Sequence, residues 1–231
     1  MRNDQLLAIH ELAGKTAGAP RGLLLAVLLD EAEVQPTEPV GRTHARLLRL
    51  HGQLASGPLT ATAVCTDCEA VVEFAVDIAD LCMLEAGIVD HPAPLQHDGE
   101  LIRWRPASLS DLGAIDIESS HAASDLVARC LAEEHRPLAG ELRAQVAQAM
   151  TEADPLAEII VTVACPECGS GIDTLLDPVD FVWSHVDARA RELLSQVDLL
   201  ARGYGWSERD ILDLPAARRN HYVDLLIGDD L

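Results

Sequence analysis

Cys65-Thr66-Asp67-Cys68 and Cys165-Pro166-Glu167-Cys168 form two cysteine knuckles that stand 100 positions apart. Two-residue spacing lets a single turn present two thiolates, and two such turns complete the closed tetrahedron of four soft ligands that a structural Zn²⁺ prefers. If both knuckles grip one ion, the metal ties together distant halves of the chain. Three other readings stay open at this point. A redox dithiol normally caps a helix that follows a strand, whereas Cys68 leads into Glu69-Ala70-Val71-Val72-Glu73-Phe74, which reads as a returning strand. Disulfides are the second, but six cysteines in 231 residues are sparse for a disulfide-built scaffold. Thiols with no ligand role are the third. The expectation carried forward is one structural Zn²⁺ per chain on Cys65, Cys68, Cys165 and Cys168. Cys82 and Cys130 lie in helical segments and read as buried small apolar residues.

Catalytic patterns are missing. The nine histidines show no H-x-x-x-H or H-E-x-x-H spacing, and there is no glycine-rich phosphate loop or G-x-S-x-G elbow. Asp77 with Asp80 and Asp177 with Asp180 read as caps or solvated charges in so acidic a chain. Four cysteines close a zinc sphere, whereas a catalytic zinc keeps a position open. The chain therefore reads as a binding or assembly protein and not an enzyme.

Each knuckle needs strands to hold it. Leu59 to Val64 and Val71 to Val76 read as strands around the first, and β-branched Ile159-Ile160-Val161-Thr162-Val163 delivers the second. Asp77 and Asp177 each stand nine residues after the second cysteine of a knuckle, with Asp80 and Asp180 three further on. This echo suggests two related halves, with coincidence as the alternative.

Helices are expected around this β-core. Asp4 to Leu12 and Arg21 to Ala32 have helical composition, with Gly18-Ala19-Pro20 between them; Thr43 to Leu54 is the third helix. A short strand from Glu100 to Arg105 precedes helices that run from a Ser119-Ser120 cap to Ala132 and from Gly140 to Thr151. The clearest periodicity runs from Val179 to Gly203, with Val182, Val186, Ala190, Leu193, Leu194, Val197, Leu200, Ala201 and Tyr204 on one face. Ser207 caps a short helix to Leu212, and Pro215 opens a last one ending near Ile227. The fold class is thus α+β: a small zinc-ribbon-like core of two CxxC hairpins, surrounded by helices, with a helical C-terminal segment. The expected divisions are 1–57 (helical), 58–154 (first knuckle unit with a helical insertion) and 155–231 (second knuckle unit with the C-terminal helices).

Composition sets the class of partner. The chain is 48% hydrophobic and 24% charged, as an ordinary globular protein is. No apolar run approaches the ~20 residues of a membrane span, and Met1-Arg2-Asn3-Asp4-Gln5 leads straight into an amphipathic stretch with no leader-like apolar core. A cytoplasmic location, with no membrane partner, is expected. The net charge of −21 opposes nucleic-acid binding, which is largely electrostatic.

Several runs resemble a known family. They include Asp154-Pro155-Leu156-Ala157-Glu158-Ile159 leading to Cys165-Pro166-Glu167-Cys168-Gly169, then Leu176-Asp177 with Phe181-Val182-Trp183. Val197-Asp198-Leu199-Leu200-Ala201, the run from Tyr204 to Leu212, and Arg218-Arg219-Asn220-His221-Tyr222 continue the pattern. Leu101-Ile102-Arg103-Trp104-Arg105-Pro106 with Asp111-Leu112 fits its middle segment. These are similar to the baseplate hub assembly chaperones of contractile-tailed phages of the T-even type, in particular relatives encoded with phage-tail-like contractile injection systems. The resemblance covers roughly residues 59 to 227 and is strongest after Asp154. The chain departs from the pattern at Asp198, at Ser184-His185, and in a first knuckle with no following glycine. The resemblance implies a part in assembling the hub and baseplate of a contractile particle, with hub or spike proteins as partners.

Tyr204, Trp206, Arg218 and Arg219 are the candidate partner contacts, because aromatics and arginines are enriched at binding hot spots and this chain is only 3% aromatic. The alternative is that the two aromatics lock the helical hairpin into the core. A second functional class reads the segment from Leu199 to Ile227 as helix-turn-helix-like, in a zinc-stabilised regulatory or DNA-binding protein with Arg218 and Arg219 on phosphate.

Overall fold

Periodicity of three to four builds the first third of the chain as helices. The computed structural model describes residues 2–29, 35, 37–54, 57–132 and 138–229. Within it, α1 spans Asn3–Ala13, α2 Gly18–Leu29 and α3 Val40–Leu54. The expected end of the second helix, residues 30–32, lies outside the described residues. Gly18-Ala19-Pro20 opens α2 and does not separate two helices. A proline in the first turn removes only an N–H that has no intrahelical acceptor.

Strands β1 (Leu59–Val64) and β2 (Val71–Val76) pair antiparallel, with Leu59 opposite Val76 and Val64 opposite Val71. Helix α4 (Ile78–Met83) follows, its first turn capped by Asp77, which accepts the Ala79 N–H at 2.8 Å. Next comes a hairpin of β3 (Leu95–His97) and β4 (Glu100–Ile102). The expected strand from Glu100 to Arg105 is therefore cut at Ile102. Asp98 and Gly99 (φ 48° and 80°) turn the chain in the left-handed conformation that favours an Asp-Gly pair. Beyond the break, Arg105 N–H donates to the Cys130 carbonyl and Ala132 N–H to that of Arg103.

Helices α5 (Leu109–Gly113), α6 (Ala122–Cys130) and α7 (Gly140–Ala153) complete the middle. Ser119 does not cap α6, since its hydroxyl accepts the His121 N–H in the preceding turn. Strands β5 (Ile159–Ala164) and β6 (Gly171–Leu176) form the second long hairpin, and α8 (Pro178–Tyr204), α9 (Glu208–Leu212) and α10 (Ala216–Asp229) end the chain.

The elements gather into two compact units, one from Thr16–Val182 and one from the chain up to Lys15 with that from Trp183 onward. The grouping differs from the three sequence segments in uniting α1 with the C-terminal helices.

In the larger unit, both long hairpins share a core. Leu59, Ile159 and Leu176 pack with Ala45 and Leu48 of α3, Leu81 of α4 and Leu156. A second cluster joins Ile102 and Trp104 to Val127 and Cys130 of α6 and Leu142, Val146 and Met150 of α7. The N-terminus of α3 is tied to the far end of α7. The Gly41 N–H donates to Asp154 Oδ2 at 2.8 Å, and His44 Nδ1 bonds the Leu156 carbonyl at 2.8 Å. Asp154 and Leu156, both buried, therefore serve the fold. A carboxylate at a helix N-terminus answers free N–H groups and the helix dipole.

Gly41 is required by this contact, because a Cβ there would run into the Asp154 carboxylate and Ile88. Gly41→Ala is expected to lower stability by about 1–3 kcal/mol through overpacking, read as a reduced urea midpoint with metal content unchanged. An unaltered midpoint would show that the helix is not anchored this way.

In the smaller unit, α1 buries Leu6, Leu7, Ile9 and Ala13, and α8 buries Val186, Ala190, Leu193 and Leu200. The buried stripe of α8 is narrower than its periodicity, since Leu194 and Tyr204 are exposed. His10 Nε2 meets Asp187 Oδ1 at 2.9 Å, and the His10 ring stacks on Trp183. Gly203 and Gly205 do different things. Gly205 (φ 71°) turns the chain after α8, whereas Gly203 stays helical and admits Leu226, whose side chain a Cβ would meet at 2.6 Å.

Candidate metal centre

The two knuckles are built alike, bond for bond. Cys65 N–H donates to the Ala70 carbonyl at 2.9 Å and Glu69 N–H to the Cys65 carbonyl at 2.9 Å. In the second, Cys165 N–H donates to the Ser170 carbonyl at 2.8 Å and Gly169 N–H to that of Cys165 at 2.9 Å. Both turns put the residue after the second cysteine in the left-handed region, Glu69 at φ 60° and Gly169 at φ 80°. The first knuckle thus does without its glycine by holding a glutamate where glycine is at ease. Asp177 repeats the role of Asp77, accepting the Val179 N–H at 2.8 Å. The repeat seen in the sequence is also a repeat of structure.

The paired hairpins bring all four knuckle sulfurs together. Cys65 Sγ lies 3.6 Å from Cys168 Sγ, and Cys68 Sγ lies 3.6 Å from Cys165 Sγ. All four lie within 4.8 Å of one another. A disulfide needs about 2.05 Å, and all six cysteines are free. Ligands about 2.3 Å from a tetrahedral ion stand about 3.8 Å apart, so the four sulfurs fit a single metal ion with little adjustment.

The surroundings serve that arrangement. Cys65 and Cys165 are buried on an apolar floor of Ala63, Val72 and Ile172. Cys68 and Cys168 are exposed at the tips, where Ser170 Oγ donates to Asp67 Oδ2 and links one knuckle to the other. Contacts with Ser170 and with the thiols of Cys65 and Cys68 hold the Cys168 pKa down to about 6. At Cys68 the Ala70 N–H acts in the same sense, but the thiols of Cys168 and Cys165 override it and push the group up to about 12. A metal ion bound here would displace the protons that these thiols carry.

The other cysteines stand apart from this cluster. Cys130 is buried, and burial pushes its thiol up to about 12. Cys82 is half-buried against the core beneath the hairpins, less enclosed than expected.

The candidate partner residues separate. Tyr204 (38% exposed) stacks on Trp206 with ring centroids 4.8 Å apart. Tyr222 stands edge-on to both, at 5.7 and 5.0 Å. Arg218 is exposed, but Arg219 is only 5% exposed and turned inward. Among the described residues, no helix is long and apolar enough to cross a membrane.

Sequence reasoning missed the ion-paired cap of α5. Asp111 accepts two bonds from Arg105, at 2.6 and 3.0 Å, and others from the Ser108 N–H and hydroxyl. The Ser-x-x-Asp spacing, read as a capping box, could have found half of it. Comparison of the chain with family models, curated proteins and solved structures finds no match.

Proposed function

We propose that this protein is a non-enzymatic assembly factor for the baseplate hub of a phage-tail-like contractile particle, acting in the cytoplasm and stapled by one structural Zn²⁺. The observation that carries the non-enzymatic part is the closed set of four sulfurs within 4.8 Å. Zinc fits it by ligand softness and by the tetrahedral spacing, and a sphere filled by Cys65, Cys68, Cys165 and Cys168 leaves no position for a substrate. On this reading the two hairpins are the halves of a zinc ribbon, neither of which holds the ion well alone.

The system is supplied by the sequence resemblance, and the residues that carry it have tangible roles. Asp154 and Leu156 anchor α3, Arg105 and Asp111 form the cap of α5, and Tyr204, Trp206 and Tyr222 make one aromatic cluster. The regulatory alternative is less well served. It needs both Arg218 and Arg219 on phosphate, yet Arg219 is inward, and Arg218 is left in a chain of net charge −21.

The test is co-expression with the hub and spike proteins of a contractile particle. The expected outcome is stable co-purification with one of them, and loss of assembled baseplates when the gene is deleted. Normal baseplates in the deletion strain, or a salt-sensitive complex with duplex DNA in place of a protein partner, would overturn the reading.

A further inference from the structure

The smaller unit buries a guanidinium without giving it a counter-ion. Arg219 bonds only neutral acceptors: its Nε donates to Gln196 Oε1 at 2.6 Å and its Nη1 to the Leu214 carbonyl at 3.3 Å. Burial and the neighbouring charge of Arg189 both push this guanidinium below its usual range, against an opposing pull from Glu192. Among the described residues, neither Arg219 nor Arg189 forms an ion pair. A buried cation left in this condition is costly unless something anionic meets it.

A cavity of about 70 Å³ lies where that anion would sit, lined in part by Asn3, Arg189, Glu192, Arg219 and Asn220. The hydrogen-bond directions around it are set by Gln196. Its Oε1 is taken by Arg219, and its amide donates to Glu192 Oε1 and Asn220 Oδ1, each at 3.2 Å. One oxygen of Glu192 and the Oδ1 of Asn220 are thereby engaged, and the Asn220 amide keeps its N–H donors for the cavity. Asn3, Arg189 and Ala216 also line a larger groove of about 830 Å³.

We infer that this cavity is a carboxylate-binding site, in which the guanidinium groups of Arg189 and Arg219 and the amide of Asn220 receive the carboxylate of a partner polypeptide. A planar monoanion matches the guanidinium fork, and it suits a small cavity in which Glu192 opposes a dianion such as phosphate. The inference stands independently of the assembly reading, because it concerns the site and not the system.

The experiment follows the arginine Nε–Hε resonances of the ¹⁵N-labelled, metal-loaded chain during titration. N-acetylglycine mimics a chain end and N-acetylglutamate α-amide an acidic side chain, with sodium chloride and inorganic phosphate as controls. Saturable shifts of the Arg189 and Arg219 signals are expected with at least one carboxylate, and the tighter of the two identifies the source. Arg219→Gln endangers the fold, so Arg189→Gln is the informative variant. Arg189 is exposed and makes no hydrogen bond among the described residues, and its loss should weaken binding about tenfold or more. No saturation with either carboxylate, an equal or stronger response to chloride or phosphate, or undiminished binding by Arg189→Gln would overturn the assignment.

Discussion

Serine in place of Cys65, Cys68, Cys165 or Cys168 is expected to release the metal and to unfold most of the hairpin core with it. Elemental analysis of the purified wild-type chain should give one zinc ion. The expected loss is large because the ion's binding free energy is folding free energy. Structural sites in small peptides reach about 10–16 kcal/mol, as much as the ~5–15 kcal/mol that holds a whole domain together. The apolar floor beneath the sulfurs is too small to substitute, with Ala63, Val72 and Ile172 as its buried members besides the two cysteines. Serine at Cys82 or Cys130 should leave the zinc content unchanged, which separates a ligand effect from a general cysteine effect. Two ions per chain, or none with six free thiols and an intact fold, would sink the assignment.

Asp111→Asn should cause the second-largest loss, about 2–4 kcal/mol, because it takes a charge-assisted cap from Arg105 at a position only 3% exposed. The upper end is discounted because the Arg105 side chain is 36% exposed and water attends it after the change. The same group gives an acid dependence of definite sign. Burial alone would raise the Asp111 carboxyl, but bonds from Arg105 and Ser108 outweigh it and bring the folded value to about 2 from an ordinary 3.8. A depressed folded value means that the unfolded chain binds the proton more readily. This stabilisation is complete above the ordinary value and fades as pH falls through about 2. Acid unfolding of the wild type and of Asp111→Asn should converge in that window, and parallel curves down to its lower edge would contradict the account.

Local signals were legible and distant ones were not. The β-branched runs and the turn residues between them set the first long hairpin to the residue and β5 to within one, because strand and turn preferences act over a few positions. The four-cysteine set was also legible, since ligand chemistry needs only residue type and spacing. Helix α8 was placed within a residue at each end, yet its buried stripe was overdrawn at Leu194 and Tyr204. Periodicity says which residues share a face and not how wide a neighbour covers it. The Asp98-Gly99 pair carries a strong turn signal, yet the strand before it, Leu95–His97, was not among the expected elements. Asp154 at the N-terminus of α3 could not have been read locally, because donor and acceptor are 113 residues apart. The inward course of Arg219, taken from sequence as a surface contact, depends in the same way on packing between helices.

The span between Cys65 and Cys168, 103 residues, also has a meaning in time. A ribosome adding about 5–20 residues per second needs roughly 5–20 s to make the second knuckle after the first has been synthesised. Throughout that interval the nascent chain offers an ion half a coordination sphere, and an N-terminal hairpin whose sister has not been made. Closure of a four-sulfur site therefore waits for the second knuckle, and a completed staple would mark a chain that has been translated past its second pair of thiols.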